Sequence, residues 1–134
     1  VLYKVSNRKV CVMCIMAKRE KTSGSPENLP IALKKATTEM MVLHLLREKP
    51  MYTYEMMNAI AERSGGDIVF NTLYLSIYRL EENGYVEEHE KVVSEDNRTR
   101  IYLKITDAGS TYLDALVREY KRYTAALARV LELE

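Results

Sequence analysis

Thr72, Tyr74, Ser76, Tyr78 and Arg79 crowd hydroxyl groups and one guanidinium into a single short segment, NTLYLSIYRLEENG, from Asn71 to Gly84. Groups of this kind reach phosphate oxygens and base edges. Between them Leu73, Ile77 and Leu80 recur at i, i+4 and i+7, which puts all three on one side of an α-helix. The polar residues fall on or beside the other side. Asn71 is expected to be the N-cap of this helix, and Gly84 its stop. A short amphipathic helix followed by a hairpin is the reading half of a winged helix.

So short a helix needs neighbours to hold it. From Leu33 to Glu48, apolar residues at 33, 36, 40, 43 and 46, with more at 41, 42 and 45, predict a helix with a broad buried face, ended by Lys49-Pro50. Thr53 is expected to cap a second helix running to about Arg63, with Met56, Met57, Ile60 and Ala61 inward and Ser64-Gly65-Gly66 closing it. Tyr85 to Val93 reads as a strand, Ser94 to Arg98 as a turn, and Thr99 to Ile105 as a second strand. In the latter, Ile101, Leu103 and Ile105 alternate with Arg100, Tyr102 and Lys104, predicting one buried and one exposed face. Thr106 then caps a helix to the C-terminus. Along it Leu113, Leu116, Tyr120, Tyr123, Leu127 and Val130 follow the spacing of a coiled-coil seam about two and a half heptads long. Such a seam needs a second chain or a second helix.

The fold class expected is therefore mainly α with a small β-hairpin wing: a winged helix-turn-helix plus a long C-terminal dimerisation helix. It divides into a flexible basic N-terminal extension (1–32), a winged helix-turn-helix (33–106) and a dimerisation helix (107–134). The length of 134 residues suits one small domain with a helix outside its core. No apolar run is long enough to cross a bilayer. Lys and Arg interrupt the N-terminus too often for a secretory signal. Cys11 and Cys14, the only cysteines, suggest a reducing, cytoplasmic setting.

Net charge is +1, unevenly spread: residues 1–35 hold eight Lys or Arg against two Glu, a balance of +6, and the rest hold 12 against 17, a balance of −5. That asymmetry suits an arm lying on nucleic acid, and equally a solvated basic tail.

The segments EMMVLHLL (39–46), PMYTYEMM (50–57), TLYLSIYRLEENGYV (72–86) and RIYLKITDAG (100–109), in this order and spacing, resemble the PadR family of transcriptional regulators. The resemblance runs from about Leu33 to Leu131. It implies a homodimeric winged helix-turn-helix repressor whose C-terminal helix makes the dimer. It further implies a palindromic operator in double-stranded DNA and, for short members, a planar aromatic or drug-like ligand held at the dimer interface. The chain departs from the family pattern at several places. Thr53 stands where Gly is frequent, Asn71 where Gly or Ala is, and Leu75 where Pro is. A tip of Ser94-Glu95-Asp96-Asn97, followed by Arg98 and Arg100, replaces a Gly-rich, more basic one. Residues 1–15 have no counterpart in the pattern and read as an upstream extension, with Met16 a natural start.

The expected DNA contacts are Thr72, Tyr74 and Tyr78 from the recognition helix, Arg98 and Arg100 from the wing, and Lys34 and Lys35 from the first helix. Leu113, Leu116, Tyr120, Tyr123, Leu127 and Val130 are the expected dimer interface. Tyr120 aligns with a ligand-stacking Trp of drug-sensing family members, which makes Leu116, Val117, Tyr120 and Tyr123 the candidate effector site. Nothing points to an enzyme: no nucleophile–base pair and no phosphate-cradling glycine loop is visible. No cofactor is called for. Cys11-x-x-Cys14 is half a zinc site, and only His44 and His89 remain to complete it, from elements not expected to converge. His44 reads instead as a helix-packing residue with a local hydrogen bond. Met40, Met41, Met56 and Met57 read as core fillers. Two other classes stay open: a metal- or thiol-responsive winged-helix sensor using the cysteines, and a dimeric interaction module without DNA binding.

Overall fold

A computed structural model describes residues 24–133; Cys11, Cys14 and the basic residues ahead of Gly24 lie outside them. The chain divides after Ala36 into two units. The described part of the first is a turn and the opening of helix α1, Asn28–Glu48. This helix begins five residues before the expected Leu33, so residues 28–32 are helical rather than part of a flexible arm. Pro30 explains the difference. It falls in the first turn, where its missing N–H has no intrahelical partner to lose and its fixed φ suits a helix. The preceding turn leads in through Asn28 N–H to Ser25 O at 3.0 Å.

The second unit holds the core. The later half of α1 buries Val42, Leu43, Leu45 and Leu46, as its broad apolar face predicts. Helix α2, Thr53–Arg63, buries Met56 and Ile60. Its N-cap position is Tyr52, with no side-chain cap bond, so Thr53 is the first helical residue and not the cap. Helix α3, Tyr74–Glu82, also starts later than expected, with Leu73 and not Asn71 at the N-cap position. Thr72 is the cause: its hydroxyl accepts the Tyr74 N–H at 3.1 Å, so the chain makes a local turn before the helix opens. The inward stripe Leu73, Ile77 and Leu80 is buried as predicted. Gly84 follows the C-cap Asn83 at φ 75°, the left-handed stop expected of it.

Strands β1, Val86–Val93, and β2, Thr99–Ile105, pair antiparallel from Val86↔Ile105 to Val93↔Thr99, with a bulge between Glu88 and Glu90. Met51 adds a third edge, exchanging backbone hydrogen bonds with Leu103 at 3.1 and 2.9 Å. The expected two-faced alternation holds only at the base of the hairpin. Val86 and Leu103 are buried, while Ile101 is 39% exposed, because the outer hairpin has left the core behind. Asn97 supplies the left-handed residue of the tip.

Helix α4, Asp107–Leu131, is capped by the Thr106 hydroxyl, which accepts the Gly109 N–H at 3.0 Å. Its first half is fastened to the core. Arg47 of α1 donates to Ser110 O and to Asp114 Oδ1, each at 2.9 Å. The Tyr112 hydroxyl donates to Glu39 at 2.8 Å, and its ring stacks on Tyr85 at 4.2 Å. Beyond Leu113 no residue of α4 is fully buried. Among the described residues no helix is long and apolar enough to cross a membrane.

Candidate nucleic-acid interface

The buried stripe of α3 fixes what its other side presents. With Leu73, Ile77 and Leu80 in the core, Tyr74 is 75% exposed, Leu75 56% and Tyr78 49%, and Thr72 and Arg79 are exposed beside them. Tyr74 and Tyr78 are four residues apart, so their rings lie one above the other along the helix. This is a rigid ridge of aromatic hydroxyls held from behind, with a width set by one helix. Glu81, seven residues after Tyr74, follows on the same flank at the C-terminal end of α3. Burial, then the nearby Glu88 and Glu82, raises the Glu81 carboxyl above its ordinary range.

The hairpin carries the two arginines differently. Arg98 is exposed near the tip, with its Nε 3.7 Å from Asp96 Oδ2. Asp96 in turn accepts a hydrogen bond from the Ser94 hydroxyl, which, with the Arg98 N–H and Arg100, holds its carboxyl below the usual range. Arg100 instead lies over the Tyr52 ring, 4.7 Å from its centroid, and Tyr52 meets Tyr102 edge-on at 5.3 Å. That stack positions the Arg100 guanidinium against the ring face. Neither the Tyr52–Arg100 stack nor the exposure of Tyr54 on α2 follows from the sequence pattern: the PMYTY segment holds the aromatics, but no periodicity joins them to β2.

Lys34 and Lys35 lie in the opening turns of α1, Lys34 partly buried and Lys35 exposed. On α4 the expected seam separates into two parts. Leu113 is buried and Leu116 and Val117 pack against the core, whereas Tyr120, Tyr123, Leu127 and Val130 are exposed. His44 is not a packing residue. It is 63% exposed, 3.3 Å from Glu48 one turn on, and Glu48 also takes a two-pronged hydrogen bond from Arg63 at 2.7 and 2.9 Å. Met56 is in the core, and Met40, Met41 and Met57 pack against it, as fillers should. Among the described residues no three His, Cys, Asp or Glu side chains converge to hold a metal ion.

Comparison with known proteins places this geometry. The model of the transcriptional regulator PadR-like family matches residues 42–115. A solved structure described as a PadR family transcriptional regulator from Eggerthella lenta is 27% identical, with a TM-score of 0.70 over 89% of this chain and 99% of that one. A transcriptional regulator from Clostridium thermocellum is 26% identical, with a TM-score of 0.67 over 73% of this chain and 96% of its own. A curated protein of Lysinibacillus sphaericus, described only as uncharacterized, is 34% identical over 84 residues, 61% of this chain and 76% of that one.

Proposed function

This chain belongs to the PadR-like family of transcriptional regulators, whose members bind DNA, and we propose that it acts as a homodimeric repressor of a palindromic operator. The observation that carries this reading is the tyrosine ridge of α3, exposed on one side and seated on the core by the other. In the proposed complex α3 enters the major groove, Tyr74 and Thr72 contact bases or nearby backbone, and Tyr78 reaches phosphate. Arg98, Arg100, Lys34 and Lys35 supply affinity that is largely independent of sequence. Two copies related by a twofold axis ask for half-sites about one helical turn, ~34 Å, apart. Selection from random duplexes, followed by a salt-dependent shift assay, tests the reading. A palindromic consensus with a steep salt slope is expected, and failure to enrich any sequence overturns it.

The exposed stripe Tyr120, Tyr123, Leu127 and Val130 supports α4 as the dimer helix, since an apolar row of this length is otherwise left in water. We further infer that a small aromatic or drug-like effector releases the repressor. In the dimer the two copies of Tyr120 would flank a gap with Leu116, Val117 and Tyr123, and two phenol rings sandwich a flat molecule by offset stacking. Only a ligand that prefers one spacing of the two α3 helices regulates. Titration of planar dyes against wild type and Tyr120→Ala tests this. Binding by wild type alone is expected, and equal binding by both moves the effector elsewhere.

A further inference from the structure

Leu75 is the one exposed residue of α3 that carries no polar group, and it stands beside the ridge of Tyr74 and Tyr78, further from the core than either. It is 56% exposed. At about 3.6 residues per turn, its position two residues before Ile77 puts it roughly 200° around the helix from that buried side chain. Leu75 therefore stands almost opposite the core, where the helix projects furthest. It is also the second residue of α3, in the first turn. In a helix-turn-helix it is the N-terminal part of the recognition helix that reaches base edges.

An isobutyl group there stands mostly in solvent, outside the buried core, and cannot form a hydrogen bond. Of the groups displayed in the major groove, those of guanine, cytosine and adenine are hydrogen-bond donors and acceptors, and only thymine adds an apolar one, its C5-methyl. Against the other three bases the leucine would strip water from a polar edge and return no bond to it. Against thymine it covers a methyl and leaves the O4 acceptor free for a neighbouring hydroxyl. We propose that Leu75 is a specificity-determining residue that reads the C5-methyl of a thymine in each half-site. The inference rests on the placement of α3 in the major groove.

The experiment uses the full chain and a duplex recovered by selection, with its thymines replaced by uracil one at a time. Uracil keeps every hydrogen-bonding group of thymine and lacks only the methyl. At one thymine in the half-site the replacement should weaken wild-type binding about fourfold, the worth of one buried methyl. The same replacement should leave Leu75→Ala binding nearly unchanged. Indifference of wild type to every replacement, or undiminished sensitivity in Leu75→Ala, overturns the assignment. Tyr74→Ala separates the two levels of the argument. If it weakens binding while the uracil replacements do nothing, α3 is in the groove and only the leucine has been misassigned. If Tyr74→Ala and Leu75→Ala both bind as wild type, the placement of α3 fails and the inference falls with it.

Discussion

Tyr74 and Tyr78 on α3, and Tyr120 and Tyr123 on the distal half of α4, are exposed tyrosines with opposite backing. Behind the first pair, Leu73, Ile77 and Leu80 are buried in the molecule's own core. Behind the second pair nothing is buried: from Arg118 to Leu133 every residue is exposed or at most partly covered. A tyrosine ridge with a buried back is a finished surface, ready for a large rigid ligand. A tyrosine stripe on a helix without a buried back is half of a core, and it is stable as a helix only when something else completes it. The same residue type thus supports two readings, and the opposite side of each helix separates them.

The contrast breaks most visibly in the distal half of α4. Leu127→Asp together with Val130→Asp changes only exposed positions, so the fold should survive while the proposed dimer dissociates to monomers in sedimentation. An unchanged dimer would show that the stripe is not the interface. The next largest effect is expected where α4 is part of the core. A Cβ on Gly109 would stand 2.1 Å from the Tyr85 carbonyl oxygen and 2.9 Å from the Ile105 side chain, and neither is a flexible end that can swing away. Gly109→Ala should therefore destabilise by ~3 kcal/mol in urea unfolding, and a wild-type midpoint would mean that this half of α4 is loosely seated. On α3, Tyr74→Ala should leave stability untouched and weaken binding to a selected operator by roughly 1–3 kcal/mol. Equal affinity would strip the ridge of its role.

Smaller effects sharpen the picture. Arg98→Ala with Arg100→Ala should lower the log–log salt slope by about 0.9 for each phosphate that an arginine had neutralised. Because Asp96 already pairs with Arg98, and Tyr52 with Arg100, a fall smaller than two phosphates' worth would apportion the hairpin's charge between DNA and the protein itself. Tyr112 offers a pH test of the proximal half of α4. Burial first, then its bond to Glu39, pushes its pKa from 10.0 up to about 12. The folded state therefore holds this proton more tightly than the unfolded one. Its contribution is complete below pH 10 and fades as pH rises towards about 12. Tyr112→Phe should lose that alkaline component of the stability profile, and a profile parallel to wild type would mean that Tyr112 titrates as if free.

Much of this was legible in the residues because it is local or periodic. The stripe at 73, 77 and 80, the stop at Gly84, the second strand at Thr99–Ile105 and the Thr106 cap each follow from a few neighbouring side chains. The misplaced helix starts are local too, but they turned on rival chemistry. Thr72 binds the Tyr74 N–H where Asn71 looked the better cap, and Pro30 opens a helix where it looked like part of a linker. The exposed tyrosines of α3 followed from the helical period alone. The clamps did not: Arg47 and Asp114 are 67 residues apart and Tyr112 and Glu39 are 73 apart, and no spacing rule couples such pairs. Arg100 pointed to phosphate by its charge, and only the fold brings Tyr52 beneath it.

The joint at Gly84 and Tyr85 has a mechanical consequence. The Thr106 N–H bonds the Tyr85 carbonyl at 3.0 Å, the Thr106 hydroxyl bonds the Gly84 carbonyl at 2.7 Å, and Gly109 presses against the same backbone. The base of α4 is thus bolted to the point where α3 ends and the hairpin begins, with no slack for a side chain to take up. From Gly109 to Val130 the helix extends ~32 Å, so a tilt of about 5° about that joint would carry Val130 sideways by ~3 Å. Run backwards, the long arm gains force as it loses travel: a sideways push at the far end of α4 arrives at the foot of α3 as a small, stiff rotation.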